Sequence, residues 1–546
     1  MKLKEGFWWI IVGIFAALIV GFFAGNFLSG KSFGRKLFLN PENKIDAILN
    51  IIEEEYVDQV DMTTLTDNAI LKVIGELDPH SRYIPAGDLG KINEDMEGHF
   101  AGIGIESFVH ADTLVIVGMA QGSPAQQAGL MRGDRIVTVN DTAFVGKSFS
   151  FDKILNALRG EIGTVVKIGI MRNGANVIRN YHVKRNHIPI TTVKASYQVA
   201  NGIGLIKIFD KFSHTTYDEF IKAIAELLNS GCRSFIIDLR MNGGGSFDAA
   251  VKICNEFLPA GSSIVYTKGK SFHREDAIAN GLGTLQNNQV VILMDQVSAS
   301  ASEIVAGAIQ DNDRGLIVGR RSFGKGLVQN QIELSDGSAF RLTIARYYTP
   351  SGRNIQRRYT MGHADEYNQD WLDRFSNGEE FDENSAVADS GMLYHTLNGR
   401  EVYGGGGIMP DVFVPLDTSE LTSYYIHLES KNIFYRFACE YADMNRSRLS
   451  EFKNYQSMWE YLKQQPLLDE IIDFAAALKV KPRTSLINTS ANYILTTTYA
   501  YILQTFFGEE AFFIVYMDRD RDIAKAVEML QKGLAYPEAV RGMKYK

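Results

Sequence analysis

The sequence predicts a multidomain α/β protein with an N-terminal transmembrane helix, a small β-rich domain, an α/β core and a helical C-terminal region. Three observations carry that reading. The chain has 546 residues, too many for one ordinary hydrophobic core, since domains usually run to roughly 100 to 200 residues. An uncharged apolar run opens the sequence. From about Ile188, strand-like and helix-like pieces alternate, as they do in a largely parallel sheet covered by helices. With 45% apolar residues, 22% charged residues and a net charge of −8, the composition is that of folded globular protein, and it lacks the basic excess a nucleic-acid partner requires.

The elements follow in order. No charged residue occurs from Phe7 to Gly30, a run long enough to cross a bilayer. The apolar part of a cleaved signal peptide is normally only ~7 to 15 residues, so a retained anchor over 1–30 is expected. Lys2 and Lys4 precede it while Lys31, Arg35 and Lys36 follow, which leaves the orientation undecided. Residues 31–97 carry apolar positions at helical spacing, Ile45, Ile48, Leu49 and Ile52, then Ala69, Ile70, Val73, Ile74 and Leu77, ending at Asp78-Pro79. Residues 98–187 read as short strands with one helix at Asp152 to Leu158. The α/β core spans 188–416.

Beyond it, 417–546 is helical, with Ile523, Val527 and Leu530 on one face and Gly533 as a stop. These helices and the segment before Asp78 could pair subunits into a homo-oligomer. The stretch Tyr493 to Phe507 is short for a second span and carries Thr496, Thr497 and Thr498, so a buried or oligomer-forming helix is expected there. Cys232, Cys254 and Cys439 form no C-x-x-C pair and read as buried small hydrophobes, arguing neither for a disulfide framework nor for a metal cage.

Chemistry concentrates in three short segments. Val297-Ser298-Ala299-Ser300-Ala301-Ser302-Glu303 follows the strand VVILMD and opens a helix. It reads either as a capping box, with Glu303 reaching back to Ser300, or as a nucleophile placed among unpaired amides at the positive end of a helix dipole. A serine needs a base. The ten histidines are scattered and none stands close to the serine run in sequence, but a buried lysine stripped of water serves equally.

Lys325, between two glycines in Arg321-Ser322-Phe323-Gly324-Lys325-Gly326, fits that role. The same stretch from Gly319 to Lys325 matches G-x-x-x-x-G-K of a phosphate loop, yet Gly326 stands where Ser or Thr should hold Mg²⁺, and a strand-like run follows where a helix is needed. Asp238-Leu239-Arg240-Met241-Asn242-Gly243-Gly244-Gly245 is either a tight connection or a backbone donor to an oxyanion.

Together these segments resemble the carboxy-terminal processing (tail-specific) serine protease family, at DLRMNGGG, SASASEIVAGAIQDNDRGLIVG and FGKGLVQ, with Ser300 and Lys325 at the spacing the family uses. The resemblance extends to DPHSRYIP (78–85), HFAGIGIE (99–106), GSPAQQAGLMRGDRIVTVN (122–140), YYTPSGRNIQ (347–356) and GGGGIMPDVFVP (404–415). It implies Ser300 as nucleophile, Lys325 as base, Gln329 as the residue orienting the lysine, and an oxyanion hole from the N–H groups of Ala301 and one glycine, assigned to Gly244.

It further implies a crotonase-like α/β protease core. The β-rich stretch resembles a PDZ domain, with Gly102, Ile103, Gly104 and Ile105 as the loop that binds a terminal carboxylate. Substrates would be proteins with exposed C-termini, with no metal or cofactor, and the catalytic part would lie in the periplasm on the cytoplasmic (inner) membrane. Met241 departs from the family pattern, and 360–400 and the tail after 417 match no part of its core. The competing reading, from another class, is a non-catalytic membrane-anchored PDZ scaffold.

Overall fold

The computed structural model describes residues 44–535, apart from 111–112, 121, 145–150, 173–176 and 386–391, together with 13 and 16–19. Most of the apolar run Phe7 to Gly30 therefore lies outside the described residues. Among the described residues no helix is long and apolar enough to cross a membrane. The chain up to Glu76 is a unit of its own, containing α1 (Lys44–Glu55) and α2 (Met62–Gly75). The Asp61 side chain caps α2 by accepting from the amides of Thr63 and Thr64, satisfying donors that a helix start leaves unpaired.

The second unit begins at Leu77. β1 (Arg82–Ile84) and α3 (Ala86–Glu97) come first. α3 stops at Gly98, whose φ of 77° is left-handed and where a Cβ would collide with Thr215. The β-rich domain then runs through β2 (His99–Gly102), β3 (Ile105–His110), β4 (Thr113–Met119), α4 (Pro124–Gln127), β5 (Arg135–Val139), β6 (Thr142–Ala143), α5 (Phe151–Leu158), β7 (Val165–Met171), β8 (Arg179–Lys184) and β9 (Asn186–Pro189). Its sheet has the order β3-β4-β5-β7-β8, with β6 on β5 and a separate β2–β9 pair. Ile154 and Leu158 of α5 are buried against Leu114, Ile116, Ile136 and Ile168, which closes a small core at one face of the sheet.

The α/β core contains β10 (Val193–Ala200), β11 (Ile203–Ile208), β12 (Asp210–Phe212), α6 (Thr216–Asn229), β13 (Ser234–Asp238), β14 (Asn242–Gly245), α7 (Phe247–Phe257), β15 (Ser263–Lys268), β16 (Glu275–Ile278), β17 (Gln289–Met294), α8 (Ala301–Asp311), β18 (Leu316–Gly319), β19 (Leu327–Glu333), β20 (Ala339–Tyr348), α9 (Ala364–Ser376), β21 (Leu393–His395), β22 (Glu401–Tyr403) and β23 (Val412–Phe413). The central sheet has the order β10-β11-β13-β17-β18-β23 and is parallel except for the β10–β11 pair. Its central strands β11, β13, β17 and β18 carry near-continuous apolar runs because both faces are covered. Ile206, Ile237 and Ile292 face the core that α6, α7 and α8 close, while their neighbours Leu205, Ile236 and Val291 face the other side.

What covers that other side differs from the sequence expectation. The helical region comprises α10 (Ser423–Ser430), α11 (Ile433–Met444), α12 (Arg446–Leu449), α13 (Tyr455–Leu462), α14 (Leu467–Ala477), α15 (Thr484–Phe507), α16 (Glu509–Tyr516) and α17 (Arg521–Gln531). α15 is the buried helix of this region, with Ile487, Ile494, Ala500, Ile502 and Leu503 in its core. Its threonines are satisfied internally, Thr497 Oγ1 by Tyr425 OH and Thr498 Oγ1 by Ile494 O.

α17, however, packs Ile523, Ala526, Met529 and Leu530 onto the open face of the central sheet. The core thus ends in α17, well past the expected boundary at 416, and the apolar face read as available for subunit pairing is consumed within the chain. The three cysteines are free and buried. A second, antiparallel sheet, β1-β20-β15-β16 with β19 paired to β20, was not foreseen.

Candidate active site

The serine turn connects β17 to α8, and its three serines are not equivalent. Ser298 Oγ donates to Leu239 O and Ser302 Oγ to Asn242 O, and both residues are fully buried. Ser300 alone of the three lines a cavity of about 640 Å³. Its backbone has φ 56° and ψ −112°, a conformation that costs a non-glycine residue ~1–3 kcal/mol. This is the strained strand-to-helix turn of a nucleophile elbow without that motif's glycines. Ala301 N, the first amide of α8, has no acceptor among the described residues, so a helix-start donor is available beside the hydroxyl.

The glycine segment closes the other side of this turn. Gly244 has φ 93°, and a Cβ there would press to 2.6 Å from Ser300 Cβ and 2.9 Å from Ala301 N, so only glycine permits this approach. Gly244 N, however, donates to Asn242 Oδ1 at 2.9 Å. The amide assigned to an oxyanion is engaged, which corrects that expectation. Asn242 is the organiser that sequence reasoning missed. Its Oδ1 also receives Ser302 Oγ, its Nδ2 donates to Ile208 O, and its carbonyl receives Ala299 N.

Lys325 stands between β18 and β19 and lines the same cavity. Its Nζ donates to Gln329 Oε1 at 3.0 Å, rather than to Ser300 Oγ, and Gln329 Nε2 donates to His80 O at 2.6 Å. Burial, then the guanidinium charges of Arg341 and Arg82, push the Lys325 amine below its ordinary pKa, against smaller opposing effects of Asp78 and Glu303. That favours the neutral, basic form. His80, with Nε2 3.1 Å from Tyr367 OH, is pushed down to about 4 by burial and then by Lys325, so it stays neutral.

One carboxylate ties the two segments together. Fully buried Glu303 accepts from Ser300 N and Lys325 N on Oε2, at 2.8 and 2.9 Å, and from Gly324 N and Ser322 Oγ on Oε1. Tyr347 OH adds a second brace by donating to Ser300 O and Lys325 O. Gly324 has φ 88° and would clash with Arg357 if it carried a Cβ. The stretch Gly319 to Lys325 leads into strand β19 rather than a helix, which removes the phosphate-loop reading. Among the described residues no group of acidic, His and Cys side chains could hold a metal ion.

In the β-rich domain, Gly102 ends β2, Ile105 begins β3, and Ile103 and Gly104 between them have amides without acceptors among the described residues. β3 is at a sheet edge, so its outer side is open to an added strand. This domain reaches the cavity through Arg159, just beyond α5, whose Nη1 donates to Glu94 Oε2 at 2.9 Å and whose guanidinium lies over Phe100. Glu94 belongs to α3, and its neighbours Asp95 and Met96 line the cavity.

Comparison with known proteins adds the following. Residues 202–363 match the model of peptidase family S41, 115–172 that of the PDZ domain, and 424–508 that of a family of unknown function. A carboxy-terminal-processing protease of Bartonella bacilliformis is 32% identical over 352 residues, covering 62% of this chain and 80% of that protein. A probable CtpA-like serine protease of Staphylococcus epidermidis is 33% identical over 314 residues, covering 57% of this chain and 62% of that protein. A solved photosystem II D1 C-terminal processing protease is 29% identical over 57% of this chain and 89% of that one, with a TM-score of 0.33.

Proposed function

Since the chain belongs to the serine-type carboxy-terminal-processing proteases of peptidase family S41, we propose that it cleaves proteins with Ser300 as nucleophile and Lys325 as general base. Neutral Lys325 Nζ takes the Ser300 proton as Oγ attacks the scissile carbonyl, and the negative oxygen that forms meets Ala301 N–H at the start of α8. Collapse breaks the C–N bond, and the lysine ammonium gives its proton to the departing amine. Water then releases the acyl group by the same route, with Lys325 again the base. Gln329 holds the amine and is itself held by the His80 carbonyl.

The observation that carries this reading is that Ser300 and Lys325 share one cavity and hang their backbone amides on the same oxygen of Glu303. Ser300→Ala tests it: cleavage of unfolded proteins with apolar tails should vanish while circular dichroism and melting stay near wild type. Retained cleavage would overturn it, and retained tail binding without any cleavage by wild type would favour the scaffold.

Substrates are recognised by their free C-termini at Gly102 to Ile105. The amides of Ile103 and Gly104 favour a carboxylate, and the β3 edge takes the tail as a strand. Amidated tails should be cut poorly. The run Phe7 to Gly30 anchors the enzyme in the cytoplasmic membrane with its catalytic part in the periplasm. Protease digestion of intact spheroplasts should remove the catalytic part, and protection of it would refute that orientation.

A further inference from the structure

Two arginines in the cavity enter the chemistry above only through the effect of their charge on Lys325. Arg82 on β1 and Arg341 on β20 stand directly opposite each other in the antiparallel pairing of those strands, and both line the cavity that holds Ser300 and Lys325. Like charges in this register repel and weaken the sheet. Among the described residues nothing offsets them: the Arg82 side chain has no hydrogen-bond or ion-pair partner, and Arg341 donates Nε to the neutral Gln331 Oε1.

The nearby carboxylates are committed elsewhere. Asp95 and Asp210 pair with Lys211, and Asp78 accepts from His80 N, Ser81 and Thr343. Arg341 is half-buried, and burial, then Arg82, lower its pKa. A shared anion removes exactly this kind of repulsion, and two guanidiniums present the planar, forked donors that fit a carboxylate.

We propose that Arg82 and Arg341 form a carboxylate subsite that fixes an anionic group of the bound peptide beside the Ser300 nucleophile. This rests on the reading of Ser300 and Lys325 as a protease centre. The carboxylate comes either from the peptide's own C-terminus or from an acidic side chain near the cleaved bond. The cavity is asymmetric in charge, with Arg82, Lys325 and Arg341 from the β1, β19 and β20 side and, from α3 and β12, Asp95, Glu97 and Asp210 against the single cation Lys211. A peptide anchored by a carboxylate at the cationic side has one direction in which to lie. Cleavage would then fall at a set distance from that carboxylate.

The test separates binding from cleavage. Affinities of full-length Ser300→Ala protein are measured by fluorescence anisotropy for a peptide with neutral side chains, for its C-terminal amide, and for versions with glutamate in place of glutamine at successive positions. The recognised carboxylate should tighten binding about ten-fold. Arg341→Gln or Arg82→Gln in that background should abolish the gain, and Arg341→Lys should restore part of it.

Loss of the free-versus-amide difference identifies the terminal carboxylate, and loss of the glutamate-versus-glutamine difference identifies a side chain. A free-versus-amide difference that survives both substitutions belongs to the Gly102 to Ile105 loop. Substitutions that weaken every peptide equally, or none, would overturn the subsite. If wild-type protein cleaved nothing while the carboxylate coupling persisted, the protease reading would fail and the subsite would stand.

Discussion

At Ser300 the backbone holds a left-handed φ that a side chain makes costly. Ser300→Gly should relieve the strain at φ 56° and stabilise the fold by ~1 kcal/mol, seen as a raised melting temperature in a protein that no longer cleaves. An unchanged or lower melting temperature would mean that the strain does not exceed the entropy glycine adds to the unfolded chain. Lys325 makes a prediction in pH. Because the neutral amine is the base and its pKa is lowered, activity should rise with pH and be half-maximal below the ordinary lysine value of ~10.4. Lys325→Arg should be inactive across that range, since a guanidinium does not release its proton.

Glu303 belongs beside them. Glu303→Ala leaves the amides of Ser300 and Lys325 without their shared acceptor, so kcat should drop at least ~100-fold while the affinity of isolated tail peptides for the β-rich domain is unchanged. Weakened tail binding would instead show that the whole second unit had loosened.

The residues legible in the sequence at this scale were those inside short contiguous segments. Ser300, Lys325 and Gln329 carry their spacing with them. The His80 carbonyl that holds Gln329 was not legible, because it arrives from 249 positions away. Neither was the loss of the Gly244 N–H, since that depends on where the Asn242 side chain turns.

Among the elements, α3 matters most, because it is both a cavity wall and the entry to the β-rich domain. Under the proposed tail binding at β3, the Arg159–Glu94 contact is the link through which the β-rich domain would act on α3. An added tail peptide should therefore stimulate cleavage of a second, tail-less substrate, and Arg159→Ala should reduce the stimulation several-fold while tail affinity holds. Stimulation that is absent in wild type, or intact in the variant, would reduce the domain to a tether.

The central sheet was readable because parallel strands buried on both faces are continuous apolar runs. The antiparallel sheet was not. β1 is three residues long and β20 mixes polar and charged side chains into its pattern, so although β19 reads as an alternating strand, nothing in the sequence joins these strands into a layer.

Over the whole molecule, the main difference from the sequence reading is α17. Its start is bound to the glycine segment through Arg240, which donates to Asp520 and Asp522, while Arg320 also donates to Asp522. Asp522→Ala removes one carboxylate from each of two buried guanidiniums, while Arg240 keeps Asp238 and Asp520 and Arg320 keeps Val414 O and Glu380, so it should cost about 1–3 kcal/mol of stability, readable as a lower denaturant midpoint. Nearby, burial raises the Asp238 carboxyl, but Arg240 and Lys207 outweigh it and hold the group below the usual range.

A depressed carboxylate stabilises above its unfolded pKa of ~3.9 and loses that contribution as pH falls further. His80, lowered from 6.5 to about 4, takes up its proton in the unfolded chain first, so stability should already decline from pH ~6.5 downward. Melting temperatures that stay flat between pH 7 and pH 4 would contradict the burial of His80.

The tie between Arg240 and α17 also sets an order of events in the life of the chain. The carboxylates that anchor the glycine segment lie 280 and 282 positions after Arg240, so they leave the ribosome long after Ser300 and Lys325. Until they arrive, the face of the central sheet that α17 packs on is uncovered and Arg240 has only Asp238 as a counterion. A chain ending at Met517 should accordingly be made but inert. Cleavage by that shortened chain would show that α17 is not needed for cutting, and loss of cleavage would mean that unfinished copies cannot cut the proteins around them.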